Sequence, residues 1–486
     1  MFSRWNRPRV IGTTLMLMVG CALTLPVLAV RAAPVDPEAR DIRLEKHPLP
    51  VWIQGALKAA PEMIVARSEV TIRERGLGTA QAARFLPEFH ALSISGISKR
   101  ARGTVNDPLD TVDTNAYGPF TQVEVQFVQP LFTWGKITSN IEAAARAVDA
   151  EMAAGERTAN AIVEQTKELY FNVLLARTLA GIVSETAKGF DDALETARER
   201  REDGDADITE LDILYLRVGR AEIKKQLPRL EVSERIALEA LRVLAGEPRR
   251  EPLDVAERFL DPVPAKVREL AYYEEQLFSQ SPEWKQLQYG IEAKSSQKDA
   301  LEADYYPSFF LSGTFAYSYA PKRKRQLNPF AWDQFNYLRG PGGVLGIRWP
   351  LNFHLTEARV SAAQAEVEKL HAQSRRARTG LELELQKAYD EVIQARESLE
   401  VLEDGRKAGR AILTLSVTNF DIGIGDASEI LQALGNYARV SSSYYDSVRH
   451  YDMALAHLTR VTGEEVMVLE GILPGYRWVE PGSTAP

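Results

Sequence analysis

The sequence predicts an α+β chain in which short alternating strands stand between very long helices, and in which this whole arrangement occurs twice. Three observations carry the prediction. Sequence elements recur at an offset of about 220 residues, four short segments alternate apolar and polar residues, and the remaining apolar residues follow the coiled-coil period of about 3.5 residues. A period this long indicates a duplication, not a solenoid of short repeats.

The composition excludes several classes of protein. Of the 486 residues, 45% are hydrophobic and 26% are charged, which is too many charges for a bundle of membrane helices. The formal net charge of −8 gives no indication of a nucleic-acid partner. The sequence has no phosphate-binding loop, no His-Glu-x-x-His motif and no cysteine nucleophile. We therefore expect neither an enzyme nor a bound cofactor or metal.

The first residues have the pattern of a secretory signal peptide. Three arginines precede an uncharged apolar run from Val10 to Val30, and small residues follow it, so we predict a signal peptide at 1–32. The length of the run leaves an uncleaved anchor as the alternative. Cys21, the single cysteine, lies inside this run and follows a sequence that resembles a lipoprotein cleavage box. We expect it to be removed with the signal, and lipidation is the alternative.

The duplication is visible in short matched elements. Gln-Pro-Leu at 129–131 recurs as Trp-Pro-Leu at 349–351. The pattern Tyr-x-x-Val-x-x-Ala-Arg begins at Tyr170 and again at Tyr389. We therefore predict two copies of one design in the mature chain.

The predicted domains follow these two copies. Repeat 1 covers 61–246 and repeat 2 covers 282–463. Each copy contains a helix and then a β-hairpin, at about 85–130 and about 308–350. A long helical hairpin follows in each, at about 133–245 and about 353–463. Irregular segments at 33–60, 247–281 and 464–486 lie outside the copies, and we expect them to form a collar around the helices.

The strands are predicted from alternation. Residues 122–127 and 309–319 place apolar side chains on one face and polar side chains on the other. Leu92 and Ile94 are weaker evidence of the same kind, and Gly96 breaks their phase. Segments of about ten residues that are apolar outside and polar inside are typical of membrane barrels, although each one is a weak signal. A soluble sandwich is the alternative. Aromatic residues crowded at the hairpin ends, such as Trp134, favour the barrel, because aromatic girdles lie at headgroup level.

The helices are predicted from heptads. Apolar residues from Leu381 to Leu402 are spaced alternately by four and three. A helix from about Thr133 to Arg201 would be about 100 Å long. Its return helix is shorter, and the helix before the strands has roughly the missing length, so two short helices should stack end to end along one long helix. Pro228 should kink the return helix of the first copy.

Four strands cannot close a barrel, and an open sheet edge cannot face lipid, because its backbone groups would lack hydrogen-bond partners. At least eight strands are needed, so the pore must belong to an oligomer. A dimer would give a filled barrel, whereas a trimer would leave room for transport. A structural coiled-coil interaction protein without a pore is the alternative from a different class. It explains the heptads but not the strands.

The Gln-Pro-Leu and Trp-Pro-Leu junctions, the Tyr-x-x-Val-x-x-Ala-Arg helices and the Gly-x₅-Glu-[Leu/Ile] turns at Gly204 and Gly423 occur in order and twice. In this combination the chain resembles the TolC family of outer-membrane efflux proteins, from about Pro61 to Gly463. The resemblance implies a homotrimer with a 12-stranded transmembrane barrel, continued by a periplasmic α-helical coiled-coil barrel. It also implies an exit duct of a tripartite efflux or type I secretion system in a Gram-negative outer membrane.

The same resemblance implies three kinds of partner. These are a periplasmic adaptor protein, an inner-membrane transporter of the RND, ABC or MFS type, and outer-membrane lipid. Four basic residues at 322–325 lie in a strand-joining loop and suit lipopolysaccharide phosphates, or they serve only to solubilise the loop.

The resemblance places a periplasmic gate just past the glycine of the second helical hairpin. The gate candidates are Glu429, Glu210, Asp426, Asp207 and Gln432. Rings of carboxylates in an oligomer would favour cations and raise one another's pKa. The alternative is solvated acids near helix N-termini, with Asp207 as an N-cap.

The two hairpin tips are also the candidate docking surface for the adaptor. The candidate residues are Gly204, Asp205, Ile422, Gly423 and Ile424. Ile422-Gly423-Ile424 matches the apolar tip that the resemblance implies, whereas Glu202–Asp205 is acidic. We therefore do not expect the two hairpins to dock symmetrically.

Overall fold

The computed structural model describes residues 45–85, 87–99, 117–205, 208–247, 253–323 and 333–468. The predicted signal peptide, Asp207, Lys324, Arg325 and the chain after Val468 lie outside the described residues. Within them, the strands are β1 Glu45–His47, β2 Glu88–Lys99, β3 Tyr117–Phe132, β4 Leu253–Val255, β5 Ser308–Tyr319 and β6 Tyr337–Arg348.

The helices follow the predicted order in both copies. They are α1 Leu49–Ala59, α2 Pro61–Phe85, α3 Lys136–Glu202, α4 Glu210–Lys224, α5 Leu227–Leu244, α6 Leu270–Gln280, α7 Pro282–Glu302, α8 Phe353–Asp421 and α9 Ala427–Thr462. None of the described helices is both long and apolar enough to cross a membrane.

Two long helices set the length of the helical part. α3 has 67 residues and α8 has 69, which gives each a length of about 100 Å. As predicted, short helices stack along the long ones. Arg73 of α2 pairs with Glu151 in the first half of α3, and Arg177 in the second half of α3 pairs with Glu234 of α5. α2 and α5 therefore lie beside different halves of α3.

The return helix of the first copy is broken, as Pro228 predicts. α4 ends at Lys224, and α5 begins at Leu227 with Pro228 in its first turn. Proline is tolerated there because the first backbone N–H groups of a helix have no intrahelical acceptor. In the second copy, α9 runs unbroken for 36 residues.

The order of the helices across the layer matches the order of the strands. α3 lies between α2, α4 and α5 on one side and α7 and α9 on the other, and α8 packs against α7 and α9. The four long strands form one antiparallel sheet in the order β2-β3-β5-β6. Helical layer and sheet therefore each end in two open flanks within the described chain.

The sheet has one apolar and one polar face. Val123 lies opposite Tyr317, and Val125 opposite Phe315, while Glu124 lies opposite Ala316 on the other face. Leu92 and Ile94 of β2 pair with Glu124 and Gln122, so they lie on the polar face. Residues directly opposite across a ladder share a face, so the partner strand sets the phase of β2.

Aromatic side chains gather where the strands meet the long helices. The Trp134 ring stacks on Tyr306 with centroids 5.0 Å apart and contacts Phe132, also at 5.0 Å. Trp349 lies 6.0 Å from Phe353. The indole N–H of Trp134 donates to the Pro307 carbonyl at 2.9 Å. Apolar rings with a satisfied polar edge suit the boundary between hydrocarbon and water.

The segments predicted to form an irregular collar are partly regular, since 33–60 contains β1 and α1 and 247–281 contains β4 and α6, and the chain around them lies against the helices. β1 pairs with β4, and the strap at 256–268 then crosses both copies. The Leu260 N–H donates to the Thr178 hydroxyl of α3, and the Val263 N–H donates to the Asp452 carboxylate of α9. Ala265 bridges to Met467.

Two buried titratable side chains anchor this region. Lys167, 1% exposed, pairs with Glu465 at 2.7 Å; burial lowers the pKa of the Lys167 ammonium, and the carboxylate opposes that shift. Asp452 is fully buried, and burial raises its pKa to about 8. Its Oδ2 has no hydrogen-bond partner within the described residues. Burial therefore favours the protonated form of Asp452.

Candidate functional site at the hairpin tips

Both helical hairpins turn on a glycine in the left-handed region. Gly204 has φ +89° and Gly423 has φ +81°, and a Cβ at either position would meet open space. The glycines are therefore required by backbone conformation and not by close packing. This supports the reading of Gly204 and Gly423 as turn residues, and their role in docking stays a prediction.

The two tips share one hydrophobic core. Phe420 at the end of α8 is fully buried, and it packs with Phe190, Leu194 and Ala197 of α3 and with Ile208 before α4. The second hairpin thus inserts its aromatic residue into the first. Sequence reasoning did not single out Phe420, which is only an apolar residue near a helix end in the sequence.

Arg200 joins the same two tips through polar contacts. Its Nε donates to Asp205 at 2.8 Å within the first hairpin, and its Nη1 donates to the carbonyls of Phe420 and Gly425 at 3.2 and 3.4 Å. The guanidinium also lies 5.0 Å from the Phe420 ring centroid. Sequence reasoning missed Arg200, since a basic residue in the last turn of a helix is explained equally well by the helix dipole.

The acidic candidates of the second hairpin have different roles. Asp426 is the N-cap of α9 and accepts from the Glu429 backbone N–H at 2.8 Å and from the Ser428 hydroxyl at 2.8 Å. The Glu429 N–H and then the Ser428 hydroxyl lower the pKa of the Asp426 carboxyl. Capping therefore accounts for Asp426. Glu429 and Gln432 are exposed beyond it.

In the first hairpin the acidic candidates have different partners. Glu210 forms an ion pair with Arg201, and the two side chains are 57% and 44% exposed. The N-cap of α4 is Thr209, which forms a capping box with Asp212, so the alternative that placed the cap at Asp207 is wrong. In the capping box, the Thr209 and Asp212 side chains each accept a hydrogen bond from the other residue's backbone N–H. This reciprocal arrangement makes Thr209 the N-cap, rather than the acid two residues earlier. Asp207 itself lies outside the described residues.

The docking candidates also differ between the tips. Ile422 and Ile424 are 62% and 77% exposed, so the second tip presents an apolar surface. Asp205 of the first tip is held by Arg200 at 2.7 Å. No group of histidine, cysteine and acidic residues within the described chain is arranged to hold a metal.

The fold has clear counterparts among solved structures. The Campylobacter jejuni CmeC outer membrane channel is similar at 14% identity and TM-score 0.69, covering 85% of each chain. The outer-membrane channel OprN is similar at 16% identity and TM-score 0.69, covering 85% of this chain and 89% of that one. Vibrio cholerae VceC is similar at 16% identity and TM-score 0.68, covering 85% and 96%.

The sequence itself matches a known family twice. Residues 52–247 and 275–464 each match the outer membrane efflux protein family, and the two matches together include most of the chain. No curated protein matches the sequence. The predicted family, fold class and outer-membrane location are therefore confirmed, and the pore-free coiled coil is excluded. The chain belongs to the outer membrane efflux protein family.

Proposed function

We propose that three copies of this chain close into one continuous tunnel, the exit duct of a tripartite efflux pump or type I secretion system. The observation that carries the proposal is that the open edges of the sheet continue into the open flanks of the helical layer. A membrane sheet with two unpaired edges is complete only when another copy pairs with each. One chain is thus a section of wall.

The helical flanks are suited to such closure. On α4, Ile213 and Leu216 are buried, whereas Leu211, Tyr215 and Val218 lie on the opposite side of the helix and are 54% to 67% exposed. An exposed apolar stripe opposite a buried one indicates a helix with neighbours on two sides.

The other flank has the same property. On α8, Leu385 and Val392 are buried, while Leu383, Val401 and Leu415 lie opposite and are 64% to 73% exposed. The apolar stripe of α8 therefore faces the apolar stripe of α4 in the next copy, and a ring forms by repeating one heterologous contact. Three copies give twelve strands, enough for an open lumen.

The second hairpin is the better candidate for the gate. Glu429 is exposed, whereas Glu210 is already paired with Arg201. Three Glu429 carboxylates around the tunnel entrance would favour cations. The exposed Ile422 and Ile424 beside it suit an apolar contact with a periplasmic adaptor, which in turn engages an inner-membrane transporter. The apolar face of the sheet contacts outer-membrane lipid.

Single-channel conductance of the purified oligomer in a planar bilayer tests both parts. We expect discrete cation-preferring current steps, with a reduced cation preference in Glu429→Ala and little change in the matched control Glu210→Ala. Equal effects of the two variants would remove Glu429 from the gate and leave the duct in place. Folded, assembled protein that never inserts would contradict the duct.

A further inference from the structure

A cleft of about 770 Å³ lies between α3 and α5, beginning where the break separates α4 from α5. Its floor consists of Leu169, Leu175 and Leu179 of α3 and Leu230 and Ala237 of α5. This volume is within the range of about 300–1,000 Å³ that small-molecule sites occupy. The cleft begins beside the break between α4 and α5, at Lys225 and Gln226.

The cleft opens away from the collar. The collar strap is held by the adjacent residues Arg177 and Thr178, which bind the Glu257 carbonyl and the Leu260 N–H. At about 100° per residue, Asn172 and Leu179 of the cleft lie about 140° and about 160° around α3 from Arg177. A collar on the inside would block a tunnel, so it encircles the outside and the cleft faces the lumen. This step rests on the proposed function.

One end of the cleft is cationic. Arg229 is exposed at its mouth, and Lys225 lies beside it in an ion pair with Glu222. α5 also begins here without a side-chain cap, so its N-terminal dipole adds positive potential. Glu168 is an exposed acidic residue on the side of α3 that lines the cleft. It lies one residue from Leu169, toward the opposite end of the floor from Leu179.

We infer that this cleft is a binding site in the tunnel wall for amphipathic anions, solutes with an apolar body and one carboxylate or sulfonate. The apolar body of the solute packs on the leucine floor. Arg229 and the N-terminus of α5 bind its negative charge. The cleft is open along its length, so binding is weak and reversible. A conduction path requires sites of this kind, since a tightly held solute would not leave.

The test uses the assembled duct in a planar bilayer, with 8-anilinonaphthalene-1-sulfonate as the anionic probe. We expect the probe to cause brief interruptions of the current. Arg229→Glu should weaken this block about five-fold, the size expected for reversing one partly solvated charge. Arg235→Glu is the matched control, since it makes the same change on an exposed residue of α5 outside the cleft.

A second comparison separates the floor from the charge. N-phenyl-1-naphthylamine has the same apolar body without the sulfonate, and Arg229→Glu should leave its weaker effect unchanged. Leu179→Ala should weaken the effects of both probes. Equal block in Arg229→Glu and Arg235→Glu would overturn the site while the duct stands. Absence of any channel would overturn the duct, and the site with it.

Discussion

The two hairpin tips have nearly the same backbone but opposite chemistry. Both turn on a glycine with φ near +85°, and both place a capped helix a few residues later. The first tip contributes Arg200, and the second contributes Phe420 and two carbonyl groups that Arg200 binds. Duplicated hairpins have thus become complementary, and neither tip is complete without the other.

The two copies also differ in the helices farther from the tips. The offset that relates Glu210 to Glu429 relates Ser233 of α5 to Asp452 of α9. Ser233 is exposed in the lumenal cleft, whereas Asp452 is fully buried beneath the collar strap. At this pair of positions the second copy therefore binds the collar strap through Asp452, whereas Ser233 of the first copy lines the cleft.

The largest effect is expected from a substitution that disrupts the shared core of the two tips. Phe420→Ala should destabilise the tips by about 3–5 kcal/mol, because it removes a fully buried aromatic ring and leaves a cavity. Hydrogen exchange at the amides of both tips measures this, and the loss should extend into α3 near Phe190. Ile424→Ala, at a 77% exposed position, is the control and should change stability by less than about 0.5 kcal/mol. Loosening confined to the second hairpin would contradict a shared core.

Asp452→Asn tests the difference between Asp452 and Ser233. The folded pKa of Asp452 is raised to about 8, so the folded state holds a proton that the unfolded state releases above about pH 4. The contribution of Asp452 to the free energy of unfolding is therefore fully present below about pH 4. It declines as the pH rises toward 8, by up to about 1.4 kcal/mol per pH unit. The asparagine variant should lack this decline.

Thermal unfolding of both proteins between pH 5 and pH 8 checks the sign. The variant should gain stability relative to the original chain as the pH rises. Ser233→Asn, at the equivalent position of the first copy, should leave the pH dependence unchanged. Parallel curves for Asp452→Asn and the original chain would show that Asp452 does not hold the proton.

Arg200→Gln sharpens the comparison of the tips. It should cost about 2 kcal/mol, the usual range for hydrogen bonds to a charged group, because the Phe420 and Gly425 carbonyls lose their donor. The equivalent residue of the second copy is Asn419, and Asn419→Gln should cost less, since only its backbone carbonyl bonds the turn. Hydrogen exchange at Ile424 and Gly425 reports the difference. Equal losses in the two variants would mean that Arg200 does not join the tips.

The smallest effect should be equal in the two hairpins. Gly204→Ala and Gly423→Ala should each cost about 1–2 kcal/mol, because alanine is strained at positive φ and neither site is crowded. Thermal unfolding of the two variants checks this. A clear inequality would show that one glycine has a further role, such as contact with a partner.

Much of the fold could be predicted because its signals are local. Alternation predicted β3 and β5, heptads predicted the long helices, and Pro228 predicted the break. The phase of β2 could not be predicted, because Gly96 interrupts its pattern and only pairing with β3 fixes which face Leu92 occupies. The candidate acids were found as exposed residues near helix starts. Their different partners were not.

The duplication, the periods of the strands and helices, and the family follow from the order of residues alone, since each is a pattern of residue types along the chain. Tertiary structure alone decided which residues complete the tips. Arg200 binds a carbonyl 220 residues away, and a backbone acceptor carries no sequence signal because every residue has one. The pairing of Glu210 and the raised pKa of Asp452 likewise arise from folding, because charge and pKa depend on neighbours in space.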